Sequence, residues 1–265
     1  MANEVLTSIN DISKAITYVT PLPYISGNIK EYDIKAANVN ILRQKNVIND
    51  AQYDYLINLP KRYREIDVGN MERRDIAVYN TISDGIREAK FKLLSENNVD
   101  PLSIVRVAND AIYINTSIEL QHTQFDNITF VLKHEYNVMV NLNGVLVFIS
   151  LYGDDYNVDV IGINDDLLFA HSKFLSFVCD LVYRIERVGQ KEAISFYQDF
   201  YQKYTSKELD LEYYREFNSN SCYTTIGAMK YGLWTISRLD NIDIGYNLFI
   251  LRQLWTVLLQ MTKIK

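Results

Sequence analysis

The sequence predicts an α+β protein, with an antiparallel sheet backed by helices and a helical C-terminal layer. Apolar residues recur at helical spacing over 76–97, alternate from Leu102 to about Ile163, and return to helical spacing from Asp165. Within the alternating stretch, Asn109-Asp110 and Asn143-Gly144 are dipeptides suited to two-residue hairpin turns. A chain of 265 residues can bury a substantial core, as one large domain or two small ones.

Taken in order, Ile29-Lys30-Glu31-Tyr32-Asp33 reads as a short strand. A helix over residues 36–45 follows, with Val39, Leu42 and Asn46 on related faces. Asn49 is a good N-cap for a second helix over 50–58, which Pro60 stops. Residues 60–74 read as irregular and carry Lys61, Arg62, Arg64, Arg73 and Arg74. A long amphipathic helix over 76–97 places Ile82, Ile86, Ala89, Leu93 and Asn97 along one stripe. Strands are expected over 102–108, 111–116, 128–133, 136–142, 145–151 and 158–161. Helices are expected over 167–187, 191–204, 207–217 and 242–261. The period change near Asn164 suggests two regions: an α+β domain over 1–164 with a small helical insert, and a helical region over 165–265.

Composition narrows the functional classes. A net charge of −6 argues against a non-specific polyanion binder, so any nucleic-acid contact has to come from a local basic patch. The 20 tyrosines, beside many Asn and Ile and only 4 prolines, read as the mark of an AT-rich genome rather than a tyrosine-built binding surface. Cys179 and Cys222 lie far apart without metal-ligand partners, which fits a reducing compartment, and Cys179 sits in an apolar run as a buried thiol. The N-terminal residues lack the basic start and apolar core of a signal peptide, and no apolar stretch is long enough to span a bilayer. The expectation is a cytoplasmic protein. His122, His134 and His171 share no metal-ligand spacing. There is neither a nucleophile-elbow pattern nor a glycine-rich phosphate loop. Asp154-Asp155 and Asp165-Asp166 read as a solvated turn and a helix start. Trp234 and Trp255, with Leu248, Leu251, Leu254 and Leu258, read as core.

Two carboxylates stand out when taken together. Asp33 ends a strand just before a helix, and Asp110 sits at a hairpin turn, with a long helix between them. Such elements can bring both acids to the same divalent ions, as nucleotidyl transfer requires. Alone, Asp110 could be a turn residue and Asp33 a helix cap. The cations of 61–74 could be a solvated loop or a triphosphate site, for which Arg62 and Arg64, with Lys61, are the candidates.

The order of these segments resembles the palm of family B DNA polymerases, of the viral and bacteriophage type, over roughly residues 24–165. Tyr32-Asp33-Ile34 and the following helix resemble that family's first metal-binding motif. Gly85-Ile86-Arg87-Glu88-Ala89 through Ala111-Ile112-Tyr113-Ile114 resembles its helix and Asp-Thr-Asp-Ser hairpin, with Asp110 on the metal-binding acid. Val158-Asp159-Val160-Ile161-Gly162-Ile163 resembles the strand that ends in Lys-Gly.

The sequence also departs from the pattern. Ala108 and Ala111 stand for the hairpin's first Asp and its Ser, Asn38 for the sugar-discriminating Tyr, and Ile161 for the later Lys. The fingers motif is absent, and no exonuclease domain precedes the palm. The resemblance implies a small template-directed nucleotidyltransferase using Mg²⁺ or Mn²⁺. In it, Asp33 and Asp110 would hold the metal, Asn38 would face the sugar, and Lys61, Arg62 or Arg64 would bind the triphosphate. The alternative it leaves open is a catalytically lapsed palm, kept as a nucleic-acid- or protein-binding subunit of a phage complex.

Overall fold

The computed structural model describes residues 7–218, 224–226, 229–231, 242 and 244–261, and it divides the chain into two compact units. The first comprises Met1–Pro21 and Gly27–Glu135; the second comprises Leu22–Ser26 and Tyr136–Lys265. The fold is α+β, an antiparallel sheet backed by helices, with a helical C-terminal segment.

The first unit opens with α1 (Ile9–Lys14), which Ser8 caps by accepting from the Asp11 amide. Two strands follow, β1 (Tyr18–Val19) and β2 (Tyr24–Ile34). The helices are α2 (Ala37–Gln44), α3 (Asp50–Asn58), α4 (Lys61–Arg74) and α5 (Ile76–Glu96). The expected cap on α3 is present as a reciprocal capping box between Asn49 and Gln52. The remaining strands are β3 (Ile104–Val107), β4 (Ala111–Asn115), β5 (Gln124–Phe125) and β6 (Ile128–Leu142), whose residues from Tyr136 onward belong to the second unit. Strand order in the first unit is β1-β3-β4-β2-β6, with β5 on β6. The α5 stripe of Ile82, Ile86, Ala89 and Leu93 is buried in one cluster with Ile104, Val107, Ile112 and Ile114 of the hairpin. Asn97 leaves that stripe and ties down a loop: its Oδ1 accepts from the Gln121 and His122 amides.

Two expectations here are corrected. Residues 60–74 are not irregular: Lys61–Arg74 is helical. Pro60 does more than end α3, because its carbonyl accepts from the Tyr63 and Arg64 amides at 3.0 and 3.1 Å and so begins α4. Proline at a helix start sacrifices no intrahelical bond. The segments 128–133 and 136–142 form one strand, since the polar stretch Lys133-His134-Glu135 holds no turn residue and merely exposes its side chains.

In the second unit, β6 continues into β7 (Val145–Tyr152) and β8 (Asp155–Ile161) as an antiparallel meander. Asn143 and Gly144 have φ of 54° and 94°, the two left-handed positions of the expected turn. Then come α6 (Asp165–Leu168), α7 (Ser172–Tyr183), α8 (Gln190–Thr205), β9 (Thr224–Ile226), β10 (Met229–Tyr231) and α9 (Gly245–Met261). Val138, Val140, Val147 and Ile149 share a core with Phe174, Phe177, Phe200, Leu251, Leu254 and Leu258, and Trp255 packs against it.

The helix expected over 207–217 is only a 3₁₀ turn, Leu211–Tyr214. Lys207 takes a left-handed φ of 60°, which breaks the helical path after α8. Tyr214 then folds back to stack on Tyr204 at 4.8 Å. Cys179 is buried as a free thiol, and burial, with the neighbouring Asp180, pushes it up to about 12. Cys222 and Trp234 lie outside the described residues. The units part at Glu135/Tyr136, whereas the period change near Asn164 marks the passage from strands to helices within the second. Among the described residues, no helix is long and apolar enough to cross a membrane.

Candidate functional site

Sheet register brings Asp33 and Asp110 together. β2 runs antiparallel to β4 with Asp33 opposite Ala111. The Ile34 amide donates to the Asp110 carbonyl at 3.0 Å. Asp110 lies in the tight link between β3 and β4, closed by the Ala108 amide donating to the Ala111 carbonyl at 2.8 Å. Neither Asn109 nor Asp110 has a positive φ, so left-handed turn geometry does not account for an acid there. Asp33 is not a helix cap either: the residue at the start of α2 is Ala36, which makes no side-chain capping bond.

Ala36 itself is left-handed, at φ 48° and ψ 47°. That conformation costs a residue with a Cβ about 1 kcal/mol or more. The link is held by neighbours. The Lys35 amide donates to the Thr129 carbonyl at 2.9 Å, and Asn40 Nδ2 donates to the Lys35 carbonyl at 2.6 Å. Asn40 in turn accepts from the Tyr53 hydroxyl at 3.0 Å. The sharp turn from β2 into α2 sets Asn38 on the wall of a cleft of about 210 Å³. Asp33, Asp110, Lys61, Arg64 and Glu65 line the same cleft. Gly85 of α5 seats α2, since a Cβ at that position would overlap the Ile41 side chain.

Of the sequence candidates, Asp33, Asp110, Asn38, Lys61 and Arg64 therefore converge, and Arg62 does not. The reason is the helix itself. Residues two apart on an α-helix point about 200° apart, so Arg62 and Arg64 cannot share one face. Arg62 is exposed on the outer side of α4.

The electrostatics of the cleft are those of a carboxylate pair among cations. Burial, and next the negative charge of Asp33, push the Asp110 carboxyl above the ordinary carboxylate range. A backbone hydrogen bond and the charges of Lys133 and Lys61 partly offset this. Lys133 Nζ lies 3.2 Å from Asp33 Oδ2 and 3.6 Å from Glu31 Oε1. Below the sheet, Lys90 of α5 is only 1% exposed and donates to the Ala15 carbonyl at 2.9 Å. Burial, then the charge of Arg87, lowers Lys90 to about 8, with Asp110 pulling the other way.

Two half-buried carboxylates that repel one another suit a divalent cation, whose charge would relieve the repulsion. Among the described residues no group of three or more His, Cys, Asp or Glu forms a metal cage. Two carboxylates are too few for a structural zinc; Mg²⁺ or Mn²⁺ could use such a pair only with waters and phosphate oxygens as the remaining ligands.

Sequence reasoning missed Lys133, Glu31 and Lys90, although signals for two of them were present. Glu31 and Asp33 are two apart on a strand and so share a face. Lys90 is four residues after Ile86, on the buried stripe of α5.

Compared with known proteins, residues 1–263 match the model of a family described as bacteriophage PBS1 gene 130 protein. No curated protein matches the chain.

Proposed function

From the premise that the chain belongs to the bacteriophage PBS1 gene 130 protein family, we propose that it is a phage-encoded, reduced palm-type nucleotidyltransferase. The observation that carries this reading is the convergence of Asp33 and Asp110, from paired strands, on a cleft faced by Lys61 and Arg64. In this reading Asp33 and Asp110 hold Mg²⁺ or Mn²⁺. Bound there, the ion would supply neutralisation of triphosphate charge and activation of an attacking hydroxyl. Lys61 and Arg64 take the phosphates, Arg64 with a planar fork matched to phosphate oxygens. Asn38 faces the ribose and can hydrogen-bond its 2′-hydroxyl. Nucleic acid meets a local basic surface on α4, where Arg62, Arg73 and Arg74 are exposed and form no ion pair among the described residues. Such a patch is needed on a chain of net charge −6.

The test is Mn²⁺ titration together with primed-template incorporation, for wild type and Asp110→Asn. Wild type is expected to bind Mn²⁺, and the variant to lose roughly an order of magnitude or more of affinity while staying folded. Equal binding by the two would remove the metal role of Asp110.

A second reading, a lapsed palm kept as a nucleic-acid- or protein-binding subunit, is favoured by one observation. Asp33 already has a cation, Lys133, at 3.2 Å. Oligonucleotide binding without Mn²⁺ binding or incorporation would select it.

A further inference from the structure

Lys133 belongs to β6 and matches no part of the polymerase motifs, yet one of its two ion pairs is with Asp33, a residue of the cleft wall. Its ammonium stands 3.2 Å from Asp33 and 3.6 Å from Glu31, two acids on the same face of β2. Glu31 is nearly enclosed, with 6% of its side chain exposed, and it also takes a hydrogen bond from Tyr113. Lys133 is the mobile partner: 47% of its side chain is exposed, on a flexible four-carbon stem. A divalent ion held by Asp33 would sit within a few ångströms of the ammonium that Lys133 sets against Oδ2. Two cations a few ångströms apart repel, so the ion is disfavoured while Lys133 keeps its place.

We propose that Lys133 is the resident counter-ion of the carboxylate pair, and that a divalent cation enters by displacing it toward the nucleotide phosphates. This rests on the reading of Asp33 and Asp110 as metal-holding residues. Lys133 then has two stations. In the absence of metal it neutralises Asp33 and Glu31, which lets two buried-side acids and Asp110 coexist beside one another. With metal bound it becomes a third phosphate-facing cation beside Lys61 and Arg64. The cleft would thus admit metal together with a polyphosphate more readily than metal alone, because the phosphates offer the displaced ammonium a new partner.

The experiment is Mn²⁺ titration of the full-length chain, followed by electron paramagnetic resonance. The samples are wild type, Lys133→Gln, Lys133→Arg and Lys45→Gln, the last pairing with Glu88 outside the cleft. Lys133→Gln is expected to bind Mn²⁺ roughly tenfold tighter than wild type. Lys133→Arg should stay near wild type because it keeps the charge, and Lys45→Gln should show that net charge alone does not produce the gain. A second measurement uses only wild type: Mn²⁺ should increase acetylation of Lys133 by a water-soluble anhydride several-fold, read by mass spectrometry, and leave Lys45 unchanged. Wild type and Lys133→Gln binding Mn²⁺ equally, or the variant binding more weakly, would overturn the displacement and leave the two-carboxylate site standing. Absence of Mn²⁺ binding in every sample would overturn both.

Discussion

Replacing Lys90 by Met separates the cost of a buried charge from everything else in the first unit. The side chain is 1% exposed, and its ammonium donates to the Ala15 carbonyl at 2.9 Å. Its pKa is lowered from an ordinary 10.5 to about 8. The folded state therefore binds the proton less well than the unfolded state. Below pH 8 both states carry the charge and the full penalty is present; between pH 8 and 10.5 it is relieved, so stability from this group rises with pH. The size of that penalty is about 3 kcal/mol at neutral pH, falling to under about 1 kcal/mol at pH 10. Methionine fills a similar volume and carries no charge. Wild type should therefore gain about 2–3 kcal/mol relative to Lys90→Met between pH 7 and pH 10. Tyrosines titrate equally in both proteins, so their contribution cancels in the difference. Urea denaturation of both proteins at pH 7, 8.5 and 10 measures it directly. Stability curves that run parallel across this range would refute the burial argument, whatever the offset between them.

Other substitutions probe the frame of the cleft. Gly85→Ala puts a methyl against Ile41, and thermal or urea unfolding should show a loss of about 1–3 kcal/mol. Ala36→Gly relieves a left-handed alanine and should stabilise the chain by roughly 1 kcal/mol in the same assay. If the protein polymerises, the small Asn38 should let it accept ribonucleotides at least comparably with deoxyribonucleotides, and Asn38→Tyr should shift incorporation toward the latter. A strong deoxyribonucleotide preference in wild type would count against Asn38 as the sugar-facing residue.

The parts of this fold that were legible in the sequence are those written in local periodicity. The α5 stripe, the Asn49 capping box and the Asn143-Gly144 turn each depend on residues a few positions apart, and all are present. α4 was hidden because its side chains are mostly charged and only Val68 is buried, which leaves no apolar stripe to find. The convergence of Asp33 and Asp110 followed from strand and hairpin order. The cations around them did not follow. Lys133 reaches Asp33 only through strand pairing across a hundred positions, and Arg62 can join Arg64 only in an irregular segment, which the helix over Lys61–Arg74 is not. Registry decides such neighbours, and a single sequence does not display it.

The allotment of Leu22–Ser26 to the second unit bears on how the protein is made. The Asn141 amide donates to the Pro23 carbonyl at 2.9 Å, and Tyr24 donates to Glu186, 162 positions further on, at 2.6 Å. Ser26 joins the same carboxylate at 3.0 Å. A ribosome delivers these five residues well before their partners. The stretch before them and the stretch after them meanwhile belong to the other unit, which can complete itself once Glu135 has emerged. The second unit thus closes late, on a ligature threaded early, and the entropy of closing that long loop falls on its final step. Expressing residues 136–265 alone should accordingly yield an open, protease-sensitive fragment, which a peptide covering residues 22–26 would help to close.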